Sequence, residues 1–416
     1  AGIIDIYGRG GASADPTDDH SGSRRAPCTH GCPRSCGGFY ADVPGAVHTE
    51  RTYTGHLHCC SPIFTSPNGW LGTGYTFRAG FEIAQVCNDL GINHWEIVFG
   101  LVPWILRLQA RGEMPPLGDL SLDLQDPACL LTIIEAIAYR WGAGDLLAEG
   151  LPRAVRTLGV GEDVVGELYP GYGQASHWDG HGAFPTPYYP YWLVTALQWA
   201  FDSRDPLGGG HGYTTNIFRL ASRLEPQAGD PATRRRLLEV GRRIYGSPDA
   251  VDPLSGYAGK ALAGAYHQDR NALKDCLGIC DNIFPMLADS SAPDFLCAVG
   301  GIPGPYLEHH VYEPLCEEPL DRDAFYRVGA RVFTLERLLA VRNWGRSRRE
   351  DEGIMPYLAH PERSTSPYLG HPVELDAGRF RGLLDECYAL RGWDRATGLP
   401  SAAVLERLGL TDLGGE

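Results

Sequence analysis

The chain has 416 residues, with 36 basic and 51 acidic side chains and a formal charge of −15 at neutral pH, which is enough for one large core or two smaller ones. So acidic a chain argues against nucleic acid and anionic membrane as partners, because both attract basic surfaces, and it leaves small molecules and other proteins. The 12 cysteines are too diluted for a secreted disulfide framework and favour a reducing cytoplasm, while no signal peptide and no apolar run of the ~18 residues needed to span a bilayer is found.

In chain order, residues 1–26 include GRGGASADPTDDHSGSRR, which has no apolar period and reads as a flexible lead-in. PCTHGCPRSC follows at Pro27 to Cys36, with the spacing C-x3-C-x3-C. The next stretch, FYADVPGAVHTERTYTGHLHCC, carries turn signals and β-branched residues, and Glu50 is the only carboxylate between Asp42 and Glu82. From Arg78 the pattern turns helical. GFEIAQVCNDLGIN ends a helix at Gly91, with Asn93 able to cap the next. His94 to Arg111 reads as a buried helix kinked at Pro103, and Asp126-Pro127 opens another with aspartate as cap and proline in the first turn. The Gly- and Pro-rich run from Tyr169 to Pro190 is the best domain boundary on composition. ALQWAFDSRDPLGGGHGYTTN then places His211 after a glycine run, and Asp230-Pro231 opens a basic amphipathic helix through Arg243. After HQDRNALKDCLGICDNIFP at His267 to Pro285, the neighbours Glu308, His309 and His310 diverge too much to share a metal. Helices over Asp321 to Val341 and Glu374 to Arg391 complete the chain.

Cys28, Cys32 and Cys36 are joined in this reading by the remote Cys280. Four thiolates suit an iron–sulfur cluster or a structural zinc, both of which take soft sulfur ligands. Three cysteines crowded on one loop with a solitary fourth fit the cluster better than the paired Cys-x-x-Cys units common in zinc modules. Packed, unligated thiols are the remaining reading.

The segment Gln268, Asp269, Asn271, Ala272, Leu273, Asp275, Leu277, Gly278 and Cys280, with Ile279 in place of leucine, resembles the Q-D-x-N-A-L-x-D-x-L-G-L-C segment of the tungsten-dependent aldehyde:ferredoxin oxidoreductases. IEAIAYRWGAGDLLAEG at Ile134 to Gly150, FTLERLLAVRNWG at Phe333 to Gly345 and LLDECYALRGWD at Leu383 to Asp394 agree in order. The resemblance covers the second and third domains of that family and implies a mostly α fold. Its two helical domains would span residues 27–175, with the three-cysteine loop and first pterin loop, and 176–416, with the second pterin loop and fourth cysteine; cofactor and cluster would lie near their interface. The β-rich domain that family members place earlier is absent from this sequence, so either a separate chain supplies it or it belongs to a longer form of this one.

The resemblance further implies a tungsten or molybdenum bis-pyranopterin beside a 4Fe–4S cluster. Cys28, Cys32, Cys36 and Cys280 would ligate the cluster, although the family usually shows C-x2-C-x3-C in the first loop. Asn88, Gly91 and Asn93 would form one pterin loop, with asparagine where the family carries acids, and Asp275, Gly278 and Ile279 the other. Glu50 would be the base and His211 the histidine facing the metal. The implied reaction is oxidation of an aldehyde to a carboxylic acid, with electrons passed through the cluster to ferredoxin or an Fe–S subunit docked near Arg24, Arg25 and Arg34. The alternatives are a tungsten-dependent reductase of an aromatic acid or acyl thioester within a larger complex, and a non-catalytic Fe–S relay or structural subunit. A cytoplasmic oligomer is expected.

Overall fold

The computed structural model describes residues 24–26, 38–57, 75–94, 96–168, 187–201, 212–225, 230–279, 284–355 and 365–413. They form a mostly helical protein, as the resemblance implies, with one three-stranded sheet and one two-stranded pairing. Two compact units divide the chain, and the change from one to the other falls at residues 169–177.

In the first unit β1 (Arg24–Arg25), β2 (Gly38–Pro44) and β3 (Thr52–Leu57) pair antiparallel in that order. β1 falls within the stretch read as a lead-in; Arg24 pairs with Phe39 and lays its guanidinium over that ring at 4.5 Å. A bulge between Tyr40 and Val43 puts Asp42 at φ 53°, where its N–H finds Thr54 Oγ1 at 2.9 Å. Helix α1 (Phe77–Asp89) is buried continuously from Ala79 to Cys87. A helix apolar on all sides must be covered on all sides. It packs against β3 and against α3 (Pro127–Tyr139).

Between them α2 (Val102–Arg111) is preceded by a π-helical turn, Glu96–Leu101. Pro103 has no N–H to give the ladder, so the expected kink takes the form of a widened turn just ahead of it. Asp126 caps α3 through Ala128 N at 2.9 Å, as its position before proline predicts. The short helices α4 (Gly144–Leu147), α5 (Leu151–Leu158) and α6 (Glu162–Leu168) close the unit.

The second unit holds α7 (Trp192–Phe201), α8 (Arg219–Leu224), α9 (Pro231–Tyr245), α10 (Lys260–Leu277), the β4–β5 pair (Ala298–Val299 and Ile302–Pro303), α11 (Leu307–Tyr312), α12 (Arg322–Trp344), α13 (Arg348–Asp351), α14 (Ala377–Arg391) and α15 (Ala402–Leu408). α10 is central and packs on α7, α12 and α14. α12 comes so close that a Cβ on Gly329 would stand 2.1 Å from Asp269 O. Glycine is what permits that crossing. α14 begins later than the expected Glu374, because Asp376 takes the cap and accepts from Arg379 N at 2.8 Å. Arg391 near its end donates to Asp269 Oδ1 and Gln268 Oε1, both at 2.7 Å. Two of the matched stretches therefore lock onto each other, and Gln268 and Asp269 serve packing.

Candidate functional site

Two helix ends carry the residues assigned to pterin loops, and their local chemistry is the same. α1 ends in Asn88-Asp89-Leu90-Gly91-Ile92 and α10 in Asp275-Cys276-Leu277-Gly278-Ile279. In the first, Gly91 sits at φ 67°, its N–H reaches Asn88 O at 3.2 Å, and Ile92 N reaches Cys87 O at 2.9 Å. In the second, Gly278 sits at φ 64°, its N–H reaches Asp275 O at 3.2 Å, and Ile279 N reaches Lys274 O at 3.0 Å. This is the left-handed glycine cap with its six-residue return bond. The cap leaves Asn88, Gly91, Asn93, Asp275 and Gly278 exposed and Ile92 and Ile279 half-buried. A Cβ on either glycine would meet nothing within 4 Å among the described residues.

The turn between β2 and β3 carries Glu50. Its side chain is 70 % exposed and lies 3.8 Å from the Arg51 guanidinium. The buried carboxylate of this region is Glu82, on α1, with no solvent exposure at all. Ala46 N and Val47 N donate to its Oε2 at 2.7 Å, and His48 N to Oε1 at 2.9 Å. His48 Nδ1 at 2.8 Å and Tyr53 OH at 3.1 Å complete the set on Oε1. Burial by itself would raise the Glu82 carboxyl, but the N–H groups of Val47, His48 and Ala46 outweigh it and hold it below the usual carboxylate range. Burial and the Glu82 charge push the Tyr53 phenol up to about 12. Nothing in the carboxylate count along the sequence singled out Glu82. Its signal was a lone acid between Phe81 and Ile83 in an otherwise apolar run.

His211 lies outside the described residues, and Gly212 beside it does not. A Cβ on Gly212 would stand 2.6 Å from Nδ1 of His267, whose Nε2 meets Tyr245 OH at 2.7 Å. Gly212 O accepts from Asn216 Nδ2 at 2.9 Å, and Asn216 Oδ1 accepts from Leu287 N at 2.6 Å. The backbone leaving His211 is thus tied to the buried face of α10 and to residue 287. Cys28, Cys32, Cys36 and Cys280 also lie outside the described residues. Among the described residues no three His, Cys, Asp or Glu side chains gather as a metal site. Glu308 forms a buried ion pair with Arg270, and His309 Nε2 meets Leu320 O at 2.9 Å. The adjacent residues point to different partners, as expected.

Residues 12–410 match the family described as aldehyde ferredoxin oxidoreductase, domains 2 and 3. The chain belongs to the aldehyde ferredoxin oxidoreductase family. Tungsten-containing aldehyde ferredoxin oxidoreductase of Pyrococcus furiosus is 24 % identical over 336 residues, 80 % of this chain and 45 % of that protein. Its counterpart from Thermococcus kodakarensis is 25 % identical over 281 residues, 67 % of this chain and 36 % of that protein. The chain therefore spans less than half the length of these relatives. Among solved structures, the active-site complex BamBC of benzoyl coenzyme A reductase, in complex with 1,5 dienoyl-CoA, shares the fold with a TM-score of 0.60 at 17 % identity, covering 94 % of this chain and 53 % of that one.

Exposed acceptors at two equivalent helix ends would suit a cofactor rich in ring N–H groups. Asp275 and Asn88 are acceptors at equivalent places in two caps that open outward, and a carboxylate accepts such bonds more strongly than an amide. One turn before Asp275, on the same face of α10, the Asn271 Oδ1 atom is buried without a partner among the described residues. The matched segment includes Asn271 without giving it a role. A buried acceptor with no donor among the described residues, beside an exposed carboxylate, is an arrangement a bound heterocycle would complete.

Proposed function

We propose that this chain is the cofactor- and cluster-bearing part of an oxidoreductase that converts an aldehyde to a carboxylic acid. The observation that supports it most is the duplicated cap, in which Asn88, Gly91 and Asn93 on one loop and Asp275, Gly278 and Ile279 on the other have the same backbone bonding and the same open face. When bound, a tungsten or molybdenum bis-pyranopterin with a 4Fe–4S cluster supplies a two-electron couple and a one-electron outlet. Asp275 and Asn88 would hold pterin N–H groups, and Cys28, Cys32, Cys36 and Cys280 would hold the cluster. Cys280 follows Ile279 directly in sequence, so one short loop would serve both groups.

The protein's own part in the reaction is proton handling and exclusion of water. Glu50 would take a proton from water as it adds to the carbonyl carbon, and His211 would donate to the oxygen on which negative charge develops. The side chain of Glu50 is 70 % exposed, and the partner it has among the described residues is the equally open Arg51. With an aldehyde as donor and a viologen dye as one-electron acceptor, the protein should show turnover, and Glu50→Gln should lower it by ~10²–10⁴-fold. Unchanged turnover in Glu50→Gln would exclude Glu50 as the base.

A second reading is reduction of an aromatic acid or acyl thioester in a larger complex. It is supported by Asn88 and Asn93, which stand where the family carries acids, and by the fold shared with a benzoyl coenzyme A reductase complex. Activity with an aromatic thioester under a low-potential donor, and none with aldehydes, would select it. Iron without tungsten or molybdenum would instead select a relay or structural subunit.

A further inference from the structure

The turn that carries Glu50 also carries a histidine held in one orientation by a buried anion. His48 Nδ1 lies 2.8 Å from Glu82 Oε1 and 3.3 Å from Tyr53 OH. Glu82 is acceptor-only when ionised, and its nest of N–H donors keeps it ionised. Tyr53 gives its own proton to Glu82 at 3.1 Å, so toward the ring it too can only accept. Nδ1 must therefore carry hydrogen, and in the neutral ring Nε2 is left with the lone pair. Nε2 makes no hydrogen bond among the described residues, and the side chain is 27 % exposed. A buried carboxylate behind one nitrogen of a partly exposed ring is the construction that lets an imidazole accept and release a proton without turning.

The charged and titratable groups of this turn and of the elements packed on it come from three elements. Glu82 and Arg78 lie on α1, the latter donating to Pro44 O at 3.0 Å and Gly45 O at 2.7 Å. Tyr53 lies on β3, and Glu50 and Arg51 on the turn itself. The anchoring is rigid: a Cβ on Gly45 would stand 2.3 Å from His48 O, so the turn has no slack at its start. α1 fixes the ring through Glu82 and, six residues on, presents Asn88, about 9 Å along the helix at 1.5 Å per residue.

We propose that His48, oriented by Glu82, is a proton-relay residue that carries the second proton of the reaction to solvent. The inference rests on the oxidoreductase reading given above. Oxidising an aldehyde with water forms one C–O bond, breaks the aldehyde C–H bond and one O–H bond, and yields a carboxylic acid, two protons and two electrons. The electrons go singly to an iron–sulfur acceptor protein. Both protons must leave before the next turnover, and one carboxylate at Glu50 holds only one. Nε2 of His48 takes the other, directly or through water, and gives it to bulk solvent. Glu82 offsets the transient positive charge on the ring.

The test is chemical rescue of the purified holoprotein, read beside the ring tautomer. His48→Ala should lower aldehyde-dependent viologen reduction by about tenfold or more. Added imidazole should restore most of it in proportion to its concentration, which a packing defect would not allow. In the wild-type protein, 15N NMR of the ring should show the Nδ1–H tautomer, and Glu82→Gln should mix the two forms. Should Glu82→Gln fail to fold, Glu82→Asp serves the same comparison, with partial retention of the tautomer. Wild-type turnover in His48→Ala, a loss that imidazole leaves untouched, or an Nε2–H ring in the wild type would each overturn the relay and leave the oxidoreductase reading standing. Absence of any aldehyde turnover in the wild type would overturn that reading, and the relay with it.

Discussion

At the scale of single residues, a carboxylate without solvent contact is stable only where donors surround it, and five groups donate to Glu82. Its folded-state carboxyl lies below the ordinary value of 4.5. The sign follows directly: the unfolded chain binds the proton first, so Glu82 contributes stability above the ordinary carboxylate range and loses it as pH falls through the depressed folded value. Unfolding free energies measured between about pH 7 and pH 3 should therefore fall more steeply in the wild type than in Glu82→Gln; parallel curves would contradict the assignment. Asp351 is the second such residue. It takes Arg337 at 2.7 and 2.8 Å, Arg346 at 3.1 Å and the Tyr388 hydroxyl at 2.7 Å, all out of water. Asp351→Asn leaves two buried guanidinium groups short of charge and should cost ~3–5 kcal/mol in urea denaturation. A cost under about 1 kcal/mol would mean that the network relaxes.

At the scale of elements, the two caps make a joint prediction. Gly91→Ala and Gly278→Ala place an L side chain at φ 67° and 64°, with no described residue within 4 Å of either Cβ. The penalty is backbone strain alone, roughly 1–2 kcal/mol at each site. Equal costs at the two sites, measured by denaturation, would support the equivalence of the loops; a much larger cost at one would show that its cap has another task. Most of these elements were legible beforehand. Asp126, Asp230 and Asp321 each cap the helix expected after them, because aspartate before a helical period has few other uses. The helix end at Gly91 was legible from the pattern of the sequence, whereas Asp275 to Ile279 were singled out by the resemblance and not as a helix end. Glu82 was not legible, because a count along the sequence cannot show that α1 is buried on every side. The start of α14 moved for a similar reason: Glu374 and Asp376 are both possible caps, and only the backbone geometry chooses.

At the scale of the whole molecule, residues 12–410 belong to the aldehyde ferredoxin oxidoreductase family, and the reaction is proposed from that membership. The basic residues Arg24, Arg25 and Arg34 near the cysteine loop are unusual in a chain of net charge −15. Electron transfer to an acidic ferredoxin should slow as salt rises from about 0.05 to 0.5 M, since screening shortens the reach of those charges; a rate independent of salt would contradict docking there. The proposed function requires above all that Cys280 share one cluster with Cys28, Cys32 and Cys36 beside a pterin-held metal. Metal and pterin analysis of protein purified without oxygen tests it most directly, with Cys280→Ser purified alongside. The account predicts about four irons per chain with tungsten or molybdenum and pterin in the wild type, and loss of the cluster signal in Cys280→Ser. Zinc in place of iron, or an iron content that Cys280→Ser leaves unchanged, would contradict it.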